Sequence, residues 1–419
     1  MDETAILNYP GSKRKLLDFI YTNLAAYIYK DKEILDIFSG TGCVAQMFKE
    51  KGYLVRANDS ENYSCNIAFS ILNGFEKEEF DENKFFEKYE ENYKKLSSVF
   101  KHELSKEAEL VKNKSEQLEE FDKTLFRVWS ENNEGVLLNN ITIKNVKDLN
   151  NNINNIPFCL FTLYYAGSYF GLLQSIEIDS LRYAIEQTNN NREVLLTCLY
   201  YAMKEATFSK DGHMAQPLNH SKNQSRLFSV RRKKISDLFK KELSIFSGHS
   251  KPQTKSTISN KSFLDLLESP DALKNVCLIY ADPPYTDMQY SRYFHLLTTV
   301  TNYAYPEMTI KGGKVTSGLY ANNRFQSTIS NRGKALSDLE VLIRKSAENG
   351  ITLAFSYAFP IDRENQPTDR YTMNIDDLIN KMKQYYKSVK VQKENYKHCN
   401  NRNSSSKKVY EYLIIGEAI

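Results

Sequence analysis

Apolar and polar positions follow two rhythms along this chain, and the places where the rhythm changes mark its organisation. Tyr9 to Tyr29 open on a Pro-Gly turn and continue with helical spacing. Glu33 to Phe38 reads as a short buried strand that breaks at Ser39-Gly40-Thr41-Gly42. Val44 to Lys51 returns to helical spacing, and Tyr53 to Ala57 is a second strand ending at Asn58-Asp59. Strand, glycine loop, helix, strand and acid make the first half of a nucleotide-binding α/β unit. From about Glu76 to Glu120 Glu and Lys are dense and apolar anchors few, which predicts long solvated helices with many i,i+4 pairs. A connector around Asn150-Asn151-Asn152 predicts a loop, Phe158 to Met203 is aromatic and helical in pattern, and His249 to Asn260 reads as a linker. The strand rhythm then returns at Asn275 to Ala281 and Gly350 to Tyr357, with Val389 to Val391 and Glu411 to Ile415 completing a sheet. The expectation is an α/β domain in two pieces, about 1–75 and 255–419, split by a mainly helical insert over 76–254.

Composition changes that picture little. At 419 residues, with 41% hydrophobic and 26% charged, the chain has room for a core domain plus a large second module. The formal net charge is only +4, but the charge is uneven. A basic excess runs from Lys204 to Lys241, including Arg226, Arg231, Arg232, Lys233 and Lys234, and another from Lys381 to Lys408. Such stretches fit a face that meets phosphates, or simply a solvated surface. The six cysteines are scattered without Cys-x-x-Cys pairs or zinc-like His spacing, so reduced thiols and no metal are expected. The start, MDETAILNYPGSKRKLL, carries no apolar signal region. The most apolar run, Phe158 to Leu173, is interrupted by Gly167, Ser168 and Gly171 and is shorter than a membrane span. It reads as a buried helix, and the protein as cytoplasmic.

The sharpest chemical signal is Asp282-Pro283-Pro284-Tyr285, directly after the apolar strand NVCLIYA. Open α/β sheets place their ligands at the carboxyl ends of strands. The exocyclic amine of adenine is a poor nucleophile, because its lone pair is drawn into the ring. A carboxylate and a fixed backbone carbonyl can both accept hydrogen bonds from that NH₂ and aim its lone pair at a methyl donor. The two prolines keep the Pro283 carbonyl in one direction, and Tyr285 can stack on a base that has left its helix. The plainer alternative is a rigid turn after a strand. A second signal is Asp36-Ile37-Phe38-Ser39-Gly40-Thr41-Gly42, where glycine permits close approach of backbone to ligand. The loop lacks the third glycine of the dinucleotide fingerprint, which argues against NAD. Asp59 is placed to accept from the two hydroxyls of a ribose, or to make an Asx turn. A third segment, Asn8-Tyr9-Pro10-Gly11-Ser12-Lys13-Arg14-Lys15, reads alone as a helix entry with a basic first turn.

In this order the three segments resemble the alpha-group DNA adenine methyltransferases, the family of the bacterial Dam methylases and of many modification enzymes of restriction systems. That family runs from a Gly-x-Lys segment through a Phe-x-Gly-x-Gly loop, an acid and an insert to Asp-Pro-Pro-Tyr. Here these are Gly11-Ser12-Lys13, Phe38 to Gly42, Asp59, the long middle segment, and Asp282 to Tyr285. The resemblance implies a Rossmann-like S-adenosylmethionine-dependent methyltransferase sheet, with a helical insert that reads the target. It implies a cofactor site formed by Tyr9, Gly11, Lys13, Asp36, Phe38, Gly40, Gly42, Asp59, Phe263 and Asp282. Within it Lys13 meets the methionine carboxylate, Asp36 the amino group, Asp59 the ribose and Phe263 the adenine. Asp282, Pro283, Pro284 and Tyr285 are the implied catalytic residues around a flipped adenine. Duplex DNA is the implied partner, and a cognate restriction endonuclease is left open.

Tyr164 to Glu186 and Lys210 to Leu218 are similar to stretches of some restriction-type adenine methyltransferases, without individual roles. Tyr290-Ser291-Arg292-Tyr293 and Tyr320 to Arg324 suit phosphate or base contact, or are surface turns. The insert is much longer than in the small Dam enzymes, so their target sequence does not carry over. Cytosine-N4 methylation, methylation of adenine in RNA, and a DNA-binding module without catalysis are the rival readings. An ATPase is disfavoured because no Gly-x-x-x-x-Gly-Lys-Ser/Thr loop is present.

Overall fold

The computed structural model describes residues 13–130, 134–210, 213–248, 252, 254–361, 371–398 and 407–418. By their internal packing the described residues form two compact units, one from 13–73, 252–290 and 326–418 and the other from 74–248 and 291–325. The boundaries expected from the sequence lie at 75/76 and 254/255. They assign Ser291–Phe325 to the α/β piece, whereas this segment packs with the helical unit.

The α/β unit is built on seven strands: β1 Glu33–Asp36, β2 Leu54–Asp59, β3 Thr257–Asn260, β4 Val276–Ala281, β5 Thr352–Pro360, β6 Val389–His398 and β7 Lys407–Gly416. Their order is β6-β7-β5-β4-β1-β2-β3. The pairs β1/β2, β1/β4, β2/β3 and β4/β5 are parallel, and β7 is antiparallel to both its neighbours. Central strands buried on both faces should be apolar almost throughout, and β5, TLAFSYAFP, is buried at every position.

Alternation along the strands sorts side chains to two faces. Leu35, Ile279, Leu353 and Phe355 belong to one cluster, with α4 (Phe263–Glu268), α5 (Ala335–Glu348) and α6 (Ile375–Tyr385). Ile34, Leu278, Ala354, Leu413 and Ile415 belong to the other, with α1 (Leu17–Leu24), α2 (Cys43–Glu50) and α3 (Asn62–Asn73). The result is the expected mixed α/β sheet with helices on both faces.

Three local expectations are corrected. The linker read over His249 to Asn260 contains β3, a short polar edge strand held by β2 from one side only. The expected Asn-rich loop is a helix, Val146–Asn151, started by a capping box between Asn145 and Asp148 and anchored by buried Val146 and Leu149. Phe158 to Leu173 is not one helix but the whole of Leu160–Tyr164 and the start of Leu172–Glu186.

The helical unit also corrects the reading of its basic run. Arg226, Arg232 and Lys234 are exposed, but Arg231 is buried. Arg231 pairs with Glu107 at 2.8 Å and with Asp122 at 2.8 Å. Glu107 in turn accepts from the Leu172 and Leu173 amides at the start of Leu172–Glu186. Arg231 therefore ties three helices together instead of facing phosphate. Among the described residues, no helix is long and apolar enough to cross a membrane.

Candidate functional site

The strand order reverses direction between β1 and β4, one leading out to β2 and the other to β5. Such a reversal opens a crevice at the carboxyl ends of the strands. Asp36 ends β1, and Asp282 follows β4 by one residue. The sheet thus brings together two carboxylates that the sequence separates widely.

Alternation continues into the site. Asp36, Tyr280, Ser356 and Glu411 share parity with the Ile34, Leu278, Ala354 and Leu413 face. Glu411 is 1% exposed, and its Oε1 accepts from Ser356 Oγ at 2.7 Å and from Lys13 Nζ at 3.0 Å. Lys13, 3% exposed, also lies 3.1 Å from Asp282 Oδ1 and 5.6 Å from the centre of the Tyr285 ring. A buried ammonium costs free energy unless paired. Burial works against the Lys13 charge, but Asp282 and Glu411 outweigh it and raise the amine well above its ordinary pKa.

The carboxyls respond in the opposite sense. Burial pushes Asp282 up to about 7, Lys13 restrains the rise and Glu411 adds to it. Burial also holds Asp36 well above the carboxylate range, with Asp282 and Asp59 reinforcing the effect. Asp36 Oδ1 and Ser39 Oγ are buried and have no hydrogen-bond partner among the described residues.

The glycine loop connects this centre to β2. Ser39 N donates to Asn58 O, and Gly40 N donates to Asp59 Oδ2 at 2.9 Å. Asn58, fully inside, donates from Nδ2 to Ile37 O and Lys261 O, which fixes the ends of β1, β2 and β3 against one another. Gly40 and Gly42 adopt φ of +51° and +75°. A Cβ on Gly42 would lie 3.2 Å from Ala68 Cα, so the loop needs glycine there for space as well as for conformation. Asp59 is raised to about 6 by burial, which hydrogen bonds from the Glu61, Gly40 and Ser60 amides partly offset. Beside the loop, the Phe38 and Phe263 rings meet at 5.2 Å and 53°.

After β4, Tyr285 is packed edge-on to Tyr357 at 5.7 Å and stacked on Tyr371 at 6.2 Å. Tyr285 O accepts from Thr372 N, and Tyr357 OH donates to Met373 O. Thr372 and Met373 follow the described start of the segment at Tyr371, so the Asp-Pro-Pro-Tyr turn is held on two sides.

Of the residues expected from sequence, Lys13, Asp36, Phe38, Gly40, Gly42, Asp59, Phe263 and Asp282 to Tyr285 lie in the α/β unit around these strand ends. Tyr9 and Gly11 fall outside the described residues. Glu411, Asn58, Tyr357 and Tyr371 were not singled out. The signal for Glu411 was present, as an acid inside the apolar run of β7.

A family model described as D12 class N6 adenine-specific DNA methyltransferase matches residues 9–127 and 131–329. The Type II methyltransferase M.NlaIII of Neisseria lactamica is 23% identical over 98% of this chain and 99% of that protein. The Modification methylase LlaI of Lactococcus lactis subsp. lactis is 22% identical over 97% of this chain, which spans only 54% of that relative's length.

Proposed function

The chain belongs to the D12 class N6 adenine-specific DNA methyltransferase family, and on that premise we propose that the strand-end site transfers a methyl group from S-adenosylmethionine to N6 of an adenine flipped out of duplex DNA. The observation that carries this reading is the meeting of Asp36, Lys13 and Asp282 at the strand reversal between β1 and β4. The orphaned Asp36 Oδ1 and Ser39 Oγ suit a ligand with an ammonium group, and the Phe38–Phe263 pair suits a purine ring. In this reading Asp36 accepts from the methionine ammonium, Gly40 and Gly42 let the backbone approach, and Phe38 and Phe263 hold the adenine. Asp59, with lone pairs left after its amide contacts, accepts from the ribose. Lys13 belongs to the same site. S-adenosylmethionine supplies an electrophilic methyl group.

The chain's own residues act on the amine. Ionised Asp282 and the Pro283 carbonyl accept the two N–H bonds of N6 and turn its lone pair towards the methyl. Pro284 stiffens the turn. Tyr285, extended by Tyr371, offers an aromatic wall for the flipped base.

Target reading falls to the helical unit, where three segments meet. Met214 N donates to Tyr293 O, Tyr320 OH to Ala215 O, and Arg324 Nη1 to Ser291 Oγ at 2.8 Å. The Arg292 and Arg324 guanidiniums lie 5.4 and 5.3 Å from the Tyr320 ring centre, and Arg292 is exposed. Such cation–aromatic stations suit phosphate contact. The names of the two relatives, a modification methylase and a type II methyltransferase, favour a restriction-modification setting.

The test is methyl transfer from labelled S-adenosylmethionine to unmodified genomic DNA, with the labelled nucleoside identified after digestion. Label in N6-methyladenine supports the reading. Label in N4-methylcytosine or in RNA replaces the substrate, and no label in either overturns catalysis.

A further inference from the structure

Glu411 stands apart from the residues assigned above. It comes from the antiparallel strand β7, it is almost fully buried, and no step of the reaction calls on it. Yet its Oε1 shares the Lys13 ammonium with Asp282, at 3.0 and 3.1 Å. One buried cation is thus held between a buried carboxylate and one that is 22% exposed. Ser356 Oγ, on β5, fixes the same Oε1 at 2.7 Å, so the orientation of Glu411 is set independently of Lys13. A buried acid with two partners of this kind is expensive to keep and has to be explained.

We propose that Glu411 is a positioning residue which, through Lys13, sets the charge of Asp282 and so prepares Asp282 to receive the proton released by the methylated amine. The inference rests on the methyltransferase reading of the site. As the N6 lone pair forms its bond to the methyl carbon, the C–S bond breaks and its electron pair stays on sulfur. The nitrogen then carries one proton too many. That proton passes to an Asp282 oxygen, the N–H electron pair remains on nitrogen, and water removes the proton from Asp282 afterwards. A carboxylate paired only with a lysine would be a weaker base. The negative charge of Glu411, across the same lysine, raises its basicity.

Other groups face Asp282 as well. Asp36 approaches from β1, Cys43 from the start of α2, Tyr280 from β4, and Tyr285 from the turn itself. Tyr371 stacks on Tyr285 from the segment behind it. Tyr280 and Tyr285 also lie near the lysine, but among the described residues only Asp282 and Glu411 form ion pairs with its ammonium, which is what singles out Glu411.

The experiment is a ¹³C NMR titration of the Asp282 carboxyl in the full chain, assigned by its loss in D282N, compared between wild type and E411Q. Gln keeps the shape and removes the charge. The Asp282 midpoint is expected to fall by roughly one to two pH units in E411Q. If E411Q does not fold, the same titration is made on E411D, which keeps a carboxylate but draws it back from Lys13 by one methylene, and the Asp282 midpoint is expected to shift measurably from wild type. An Asp282 midpoint that does not move on loss or withdrawal of the Glu411 charge overturns the proposal, whatever the enzyme's activity. Methyl transfer measured on the same samples is a separate readout. A wild type that titrates as expected but methylates no adenine overturns the functional reading and leaves the charge coupling standing.

Discussion

Lys13 Nζ lies 3.1 Å from Asp282 Oδ1, joining the first described residue of the chain to the turn after β4. The contact favours the ionised form of a carboxyl that is 22% exposed. Its value to the reaction is testable by removal. D282A is expected to lower methyl transfer by at least about 10²-fold, the scale on which loss of a preorganised polar group acts. S-adenosylmethionine affinity, measured by calorimetry, should change by much less, because Asp36, Phe38 and Asp59 remain. Near-normal turnover in D282A would sink the mechanism.

Acidity offers a second handle. Burial raises Asp282 to about 7 and Asp59 to about 6. Ionised, each is an acceptor alone; protonated, each carries an O–H donor and is a poorer acceptor. Each carboxyl is raised above its ordinary value, so function is lost as pH falls through the raised pKa and is present above it. Single-turnover methyl transfer should therefore climb with pH through about 7. S-adenosylmethionine affinity should weaken below about 6. A rate that is flat between pH 6 and 8 would remove Asp282 from its proposed role.

Much of this was legible along the chain, for a physical reason. Parallel strands buried on both faces leave apolar runs, so β1, β4 and β5 and the glycine loop stood out. What escaped depends on pairing at a distance or on mixed signals. The strand β3 is polar because an edge strand has only one neighbour to pack against. The helix Val146–Asn151 hides behind its Asn content, although Asn145 and Asp148 cap it reciprocally. Glu411 meets Lys13 only because β7 runs antiparallel beside β5 and brings the last described strand back to the first helix entry. Arg231 looked like surface charge because nothing local announces that Glu107 and Asp122 enclose it.

The glycine loop gives a third prediction. Gly42 has φ of +75°, and a Cβ there would sit 3.2 Å from Ala68 Cα and 3.3 Å from Ala68 Cβ. G42A is expected to cost about 1–3 kcal/mol of stability from backbone strain, with further loss from the displaced α2. Denaturant unfolding reads the first effect. S-adenosylmethionine titration reads the second, and at least a several-fold loss of affinity is expected. A variant with unchanged midpoint and unchanged binding would show that α2 does not have to sit this close to α3.

The ring pair beside the loop separates binding from folding. Phe263 is 6% exposed and belongs to the core cluster with α5, whereas Phe38 only packs against that cluster. F263A should therefore lose both stability, by about 3–5 kcal/mol, and cofactor affinity. F38A should lose affinity by roughly tenfold with a smaller change in unfolding midpoint. Equal losses of stability in the two variants would mean that Phe38 is a core residue and not part of the adenine site.

Arg292 tests the assignment of DNA contact to the helical unit. It is exposed, stacked over Tyr320, and makes no salt bridge to a carboxylate among the described residues. A phosphate contact contributes affinity without reading sequence, and it releases counterion on binding. R292A should weaken binding several-fold on target and non-target duplexes alike, and the slope of log K against log salt should become shallower by about 1. Fluorescence anisotropy at several salt concentrations measures both quantities. Discrimination lost at one base pair, with the slope unchanged, would instead make Arg292 a reader of a base edge. An unchanged affinity would remove this face of the unit from the DNA interface.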